Sequence, residues 1–513
     1  MSEWSSGYVN EIEYTHGYYG ELSPMRMNLA LLSRQHAIRS GRPLRYLELG
    51  YGQGVTLAIH AAANGGEFWG TDFNPSHAAN ARELAEASGA NLKVLDDPFE
   101  ELARRTDLPE FDMIALHGIW SWISDDNRRA IVDIARKRLA VGGVMYVSYN
   151  CTPGWSPAMP LRHLLMLHAE HSSGDSQGLV PKMESALDFA QRVVDAGAQY
   201  FAVNPGVSER LKRLRQQNRH YLVHEYFNGH WLPTPFTDVA KFLDEGKMSF
   251  AASANLLDHI DAINLSQAQQ ALLAESQHPV LTESLRDYLI NNQFRRDLWV
   301  KGPRQMPQRQ QLEMMGAQRY VLTVPPAEVP LKVQGALGEA ELQADVYGPI
   351  LDAMHAGNAT AKSAREIGAA CPNLSMAQVL QAMMILTAGG HASPAQSDDA
   401  AEAARPTTDA LNRYLVKRAA YSGEIGWLAS PVMGGGVPVG RFAQMFIGSI
   451  LKGRRTPEQW AEDAWGVLSS QGEYILRDGA ALTSATENMA ELVKQAQWFM
   501  DNRMSTMKAL GIV

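Results

Sequence analysis

Glu48 stands two positions before Gly50, and Gly50, Gly52 and Gly54 then alternate with Tyr51 and Gln53. Glycines at this spacing let the backbone turn tightly and press its N–H groups against a ligand with no Cβ in the way. The residues from Val55 read as a helix, whose N-terminus points partial positive charge at the same place. Asp72 and Phe73 close a second apolar run, and Asp96 and Asp97 close a third. A three-glycine turn alone fits a purely structural role, and Asp72 alone fits capping of a helix that starts near Asn74. In register, they predict a bound nucleoside.

Two nucleoside cofactors compete. A dinucleotide site uses G-x-G-x-x-G, its third glycine allowing close helix–strand packing beside a pyrophosphate. Val55 holds that place here. Glu48 would repel a pyrophosphate but suits the cationic methionine end of S-adenosylmethionine. Asp72 would then accept the ribose hydroxyls, and Asp96 or Asp97 would meet the adenine amino group. Tyr19 and Phe73 complete the candidate cofactor contacts, together with His117. The expected cofactor is S-adenosyl-L-methionine, with a nicotinamide dinucleotide as the competing reading.

Methyl transfer is an in-line displacement at a sulfonium carbon. It asks an enzyme to align the acceptor and exclude water. An amine acceptor must also lose a proton before attack. The acceptor side should lie at the C-terminal ends of the fourth and fifth strands. There the chain carries His117-Gly118-Ile119-Trp120-Ser121-Trp122 and Ser148-Tyr149-Asn150-Cys151-Thr152-Pro153-Gly154-Trp155. The candidate catalytic residues are His117, Trp120, Tyr149 and Asn150. His117 can act as a base or orient an acceptor, or can be a satisfied structural residue. Trp120 and Trp122 can wall a cation, with Trp122 the better candidate for plain core packing. Tyr149 and Asn150 can hydrogen-bond an amine, or belong to a mere turn. Cys151 has no base placed beside it and is not expected to be a nucleophile.

These residues need a frame. Apolar runs at Leu44–Leu49, Glu67–Thr71, Asn91–Leu95, Phe111–Leu116 and Val144–Tyr149 alternate with helical stretches at Val55–Ala63, Ser76–Ser88 and Asn127–Leu139. Val141-Gly142-Gly143 reads as a turn. Alternation of this kind implies right-handed crossovers and an open parallel sheet covered on both faces. Ser23-Pro24 reads as the start of a helix running to about Ile38 and packing over the cofactor edge. The fold class expected is α/β: a Rossmann-like class I methyltransferase core followed by mostly α-helical accessory domains, including a winged-helix-like module. The expected domains are 1–170, the S-adenosylmethionine-binding core; 171–305, which family resemblance implies is regulatory or dimerising; 319–395, winged-helix-like; and 405–513, helical. Gln305–Gln318 and Pro394–Pro406 read as linkers. Residues 236–300 show few strand signals.

The chain has 513 residues and a net charge of −9, with two cysteines, Cys151 and Cys371. The balance gives no hint of a basic nucleic-acid grip, and Met376–Ala388, the candidate recognition helix of the winged-helix-like stretch, lacks Lys and Arg. No CxxC pair exists for zinc, so no metal is expected. No signal peptide or membrane span is read, and the expected place is the cytoplasm.

At this point the chain resembles a known family. The His117-to-Trp122 segment, and Val147-Ser148-Tyr149-Asn150 followed by Pro153-Gly154-Trp155, look like segments of bacterial methyltransferases that carry a methyltransferase regulatory domain. The resemblance continues at His224-Glu225-Tyr226, through Phe236–Asp244, and at Phe294-Arg295-Arg296-Asp297, covering roughly residues 15–305. It extends to the rickettsial-type protein lysine methyltransferases, which modify an outer-membrane protein. The resemblance implies methylation of lysine side chains in a protein, with a cell-envelope protein as the candidate partner, by a homodimer. The chain departs from the family with Gly17-Tyr18-Tyr19-Gly20 in place of an N-P-Y-like element, and with Tyr51 where Cys is common. The competing functions are a small-molecule or peptide natural-product methyltransferase, and a cofactor-binding regulator without turnover.

Overall fold

Seven strands form one sheet in the computed structural model, which describes residues 15–36, 42–172, 178–477 and 479–513. Strands β1 (Leu44–Leu49), β2 (Gly66–Thr71), β3 (Leu92–Leu95), β4 (Phe111–Leu116) and β5 (Leu139–Asn150) are parallel. Strands β6 (Met248–Ser253) and β7 (Phe294–Lys301) complete the order β3-β2-β1-β4-β5-β7-β6, with β7 antiparallel to both neighbours. Every residue of β4 is buried, as expected of a central strand with both faces covered. Helices α1 (Pro24–Ser33), α2 (Val55–Ala63) and α3 (Pro75–Ser88) lie on one face. Helices α4 (Phe99–Arg104) and α5 (Asp125–Arg138) lie on the other.

The first domain was expected to end at residue 170, yet its sheet reaches residue 301. The signal for β7 was masked by charge. Arg295 and Asp297 are buried in it, and the Arg295 guanidinium pairs with Asp297, Asp287 and Glu283. A strand whose inward residues are ionic does not read as apolar. β5 is also longer than expected. It runs through Gly142, which takes φ +81°, and its register against β4 shifts between Phe111 and Met113. The bulge absorbs what the sequence suggests is a turn.

After the fifth strand, α6 (Met159–His171), α7 (Leu179–Asp195), α8 (Gln199–Val203), α9 (Pro205–Leu214) and α10 (Arg219–Phe227) enclose a small core of their own around Leu165, Leu187, Leu211 and Leu222. Helix α11 (Phe236–Glu245) returns to the sheet and stacks Phe236 on Trp299.

The two expected linkers are structured. Gln308–Ala317 is a helix with Pro307 at its N-cap, where no N–H is required, and Gln311 donates to the Leu32 and Ser33 carbonyls at the end of α1. Asp398–Ala419 is a helix with Pro406 inside it and Ser397 as its cap. Helix α1 ends at Ser33, short of the expected end, and Ile38 lies outside the described residues. Between the two former linkers, helices Ala344–His355, Ala364–Ala370 and Met376–Ala388 accompany a three-stranded antiparallel sheet built from 319–322, 362–363 and 392–395.

The helix Asp398–Ala419 begins a C-terminal unit that lies across α2 and α3. Val55, Ala58, Ile59 and Ala62 of α2 share one core with Leu411, Leu415, Leu428 and Val437. This explains why all nine residues of α2 are buried: the sheet covers one side and the C-terminal unit the other.

Candidate active site

The glycine loop follows β1 as expected, but its glycines have different tasks. Gly50, Gly52 and Gly54 all have positive φ, at +76°, +57° and +75°. A Cβ on Gly50 would lie 2.6 Å from Cδ1 of Ile119. A Cβ on Gly54 would lie 2.5 Å from the Ala81 Cβ and 3.0 Å from its Cα. Gly54 therefore admits α3 rather than a ligand, and it does not line the cavity below. Gly52 donates its N–H to Asp72 Oδ2 at 2.9 Å. Asp72 Oδ1 accepts from Asn74 N–H at 3.0 Å and lies 3.1 Å from Nδ1 of His77. The carboxylate thus ties the loop to the start of α3, so a capping role and a place in the site coexist.

A cavity of about 390 Å³ opens at the C-terminal ends of β1, β2 and β4. Of the expected residues, Tyr19, Glu48, Gly50, Gly52, Asp72, Phe73, Asp97 and His117 line it. Five do not. Asp96 faces outward and pairs with Arg82 at 2.7 Å. Asp97 is the member of that pair in the wall, held there by Arg105 at 2.9 Å, with its carbonyl accepting from Thr71. Trp120 is fully buried against the ring of Phe242, and Trp122 lines the cavity in its place. The expected roles of these two tryptophans are reversed, because the turn Trp120–Trp122 is a 3-10 helix that sends its first indole inward. Tyr149 is buried and donates to Asp297 Oδ2 at 2.7 Å, making it a partner of the β7 ion network. Asn150 uses its backbone, donating to Ser121 Oγ and accepting from Thr234 N–H. Gly54 is the fifth.

His117 sits between aromatic rings. Its Nδ1 lies 2.8 Å from the Tyr146 hydroxyl, and its ring is parallel to that of Tyr146 and covered by Tyr19. Burial pushes its pKa down to about 4, opposed by Glu21 and aided by Arg296, so the imidazole is neutral at ordinary pH. Burial pushes Glu48 the other way, up to about 8; the Tyr46 hydroxyl opposes this and Asp72 adds to it. A buried carboxyl in that condition fits a ligand that brings its own positive charge. With Asp72 and Asp97 in the same wall and apolar Phe73 and Ile119 between, the cavity fits a nucleoside with a cationic tail.

Beyond Trp122, sequence reasoning missed the rest of the wall. Ile123, Asn127, His224, Glu225 and Asn228 line it, the last three from α10 and the residue after it. His224-Glu225 was visible as a motif, but nothing in the spacing placed α10 over strands more than a hundred residues away by sequence. Burial raises the Glu225 pKa to about 7, against the pull of Arg210 and Arg162. Trp122 continues outward through Trp231 to Trp155, with ring centroids 6.2 and 5.1 Å apart. Among the described residues, no His, Cys, Asp and Glu cluster suits a metal ion, and no helix is long and apolar enough to cross a membrane.

Residues 47–143 match the family described as "Methyltransferase domain", and residues 218–301 match "Predicted methyltransferase regulatory domain". The uncharacterized protein sll1526 of Synechocystis sp. is 38% identical over 512 residues, spanning 99% of this chain and 99% of its own. RP789 of Rickettsia prowazekii is 23% identical over 263 residues, 50% of this chain and 45% of its own length. Among solved structures, PKMT2 from Rickettsia typhi in complex with AdoHcy has the same fold, with a TM-score of 0.69 at 16% identity over 95% of this chain and 99% of its own.

Proposed function

The chain belongs to the same family as sll1526 and is an S-adenosylmethionine-dependent class I methyltransferase with a methyltransferase regulatory domain, and we propose that it methylates lysine side chains of a protein. When bound, the cofactor supplies an electrophilic methyl group on a cationic sulfur. The protein's own residues do the rest. Glu48 would answer the cationic end, Asp72 would face the sugar, and Tyr19 with His117 would wall the reacting region.

Glu225 is the observation that carries the acceptor assignment. It lines the same cavity as the expected cofactor residues, and burial raises its pKa to about 7. A lysine ammonium must give up a proton before its lone pair can attack carbon, and a carboxylate with that pKa is matched to take it. Ile119, Ile123 and the Trp122 indole suit the methylene stem and the cation of such a side chain. Glu100 and Glu101 at the same cavity favour a basic segment over an acidic one. The family resemblance adds a cell-envelope protein as partner and a homodimer as the working state.

The test uses radiolabelled S-adenosylmethionine, the purified chain and a cell-envelope protein fraction, with labelled bands digested for mass spectrometry. Methyllysine is expected. Label confined to small metabolites refutes the reading in favour of a small-molecule enzyme.

A further inference from the structure

The run Thr15–Tyr19 alternates in what it touches. Thr15, Gly17 and Tyr19 line the cavity. His16 and Tyr18, between them, are held by the C-terminal unit. Tyr18 Oη accepts from Gly436 N–H at 2.7 Å and lies 3.0 Å from His60 Nε2, while its ring packs on Trp427 with centroids 4.8 Å apart. His16 Nε2 lies 3.4 Å from Arg418 Nη2, and its Nδ1 is 3.8 Å from Glu424. Arg418 also reaches the glycine loop. Its Nη1 donates to Asn80 Oδ1 at 2.8 Å, and Asn80 Nδ2 donates to the Gln53 carbonyl at 2.6 Å.

We infer that Arg418, Asn80 and Tyr18 are positioning residues for the cofactor, through which the C-terminal unit sets the place of both the glycine loop and the Thr15–Tyr19 wall. Two stretches of the cavity wall, Thr15–Tyr19 and the glycine loop, are thereby tied to one guanidinium, Arg418, of the C-terminal unit. The carbonyl held by Asn80 belongs to Gln53, whose side chain and neighbours Tyr51 and Gly52 line the cavity. On the other side, the Tyr19 N–H donates to Thr56 Oγ1 at 3.0 Å, fixing the residue whose ring covers His117. This inference rests on cofactor use alone and is independent of the acceptor's identity.

The experiment is calorimetric titration of the full chain with S-adenosylhomocysteine, with KM and kcat measured in parallel on whichever acceptor is labelled. Arg418→Ala and Asn80→Ala should each weaken binding about tenfold or more and raise the cofactor KM, with kcat held within about twofold. Because the two act in series, the double variant should bind no worse than about threefold below the weaker single. Tyr18→Phe keeps the ring on Trp427 and loses the hydroxyl contacts. It should speed cofactor dissociation in stopped-flow tryptophan fluorescence at a temperature where it is fully folded, its melting point being lowered by the loss of the Gly436 and His60 contacts. This variant and Asn80→Ala carry the test if Arg418→Ala fails to fold. Unchanged affinity in the folded variants, or fully additive losses in the double variant, overturns the inference.

Discussion

The ring of Tyr19 lies over the imidazole of His117, with centroids 4.1 Å apart and planes inclined by 30°. The Tyr146 ring lies parallel on the imidazole, so His117 is the middle of a three-ring stack that crosses from the N-terminal wall to the end of β5. Its Nδ1 is occupied by the Tyr146 hydroxyl, which fixes the ring's orientation in the cavity wall.

Replacing His117 by Phe should keep the stack and lose the nitrogens. Cofactor affinity should stay within about threefold, while turnover falls at least tenfold. Calorimetry and initial rates on the same preparation separate the two. Equal losses in both would make His117 a cofactor-holding residue.

Glu225 should leave its mark on the pH profile. A base must be ionised to work, so kcat should be present above pH 7 and lost as pH falls through about 7. Glu225→Gln should remove that limb and cost about 10²–10⁴ in kcat, the range of general acid–base effects. His117, with a pKa near 4, contributes no limb in that window.

Glu48 ties cofactor affinity to pH. The carboxyl must ionise to meet a cation, so affinity should rise with pH up to about 8 and level off. Its folded pKa is raised, so its contribution to stability is fully present below the unfolded value near 4.5 and is lost as pH rises through about 8. The cofactor-free protein should therefore melt earlier at pH 9 than at pH 7, and bound cofactor should reduce the difference. Glu48→Gln should flatten both dependences and weaken binding. Scanning calorimetry across pH, with and without S-adenosylhomocysteine, reads all of this.

Gly54→Ala should destabilise the core by about 2 kcal/mol or more, since the residue has φ +75° and its Cβ would sit against the backbone of α3 at Ala81. Ala81→Gly should relieve the contact between the Cβ atoms but not the backbone strain. Partial recovery of the melting temperature in the double variant is the expected result; none at all would mean that strain, not contact, dominates.

The cofactor half of the site was legible because it is local. Glu48, Gly50, Gly52, Asp72 and Asp97 lie at ends of strands that announce themselves by apolar runs bounded by turn residues, and the bounds of β1, α2 and β4 follow directly from that pattern. The acceptor half was not. Trp120 and Trp122 differ in fate because of a single 3-10 turn, which has no periodic signature. Tyr149 looked like a site residue because it is a polar group at a strand end, but β7, itself hidden by Arg295 and Asp297, lies alongside and claims its hydroxyl. Glu225 needed the packing of α10, a tertiary fact. Proline misled at Pro307 and Pro406 in the same way: a helix N-cap tolerates it, and a helix gripped along its length by α2 and α3 survives it.

The alternation in Thr15–Tyr19 bears on how the enzyme comes into being during synthesis. By the time residue 150 leaves the ribosome, every strand end that lines the cavity has been made. Yet Tyr18 must wait for Gly436, and the glycine loop for Arg418, before either is fastened. The beginning of the chain is finished by its end. A nascent or prematurely terminated polypeptide with a complete Rossmann-like sheet would hold the cofactor poorly, so transfer competence waits for residues 418–436 rather than arriving gradually.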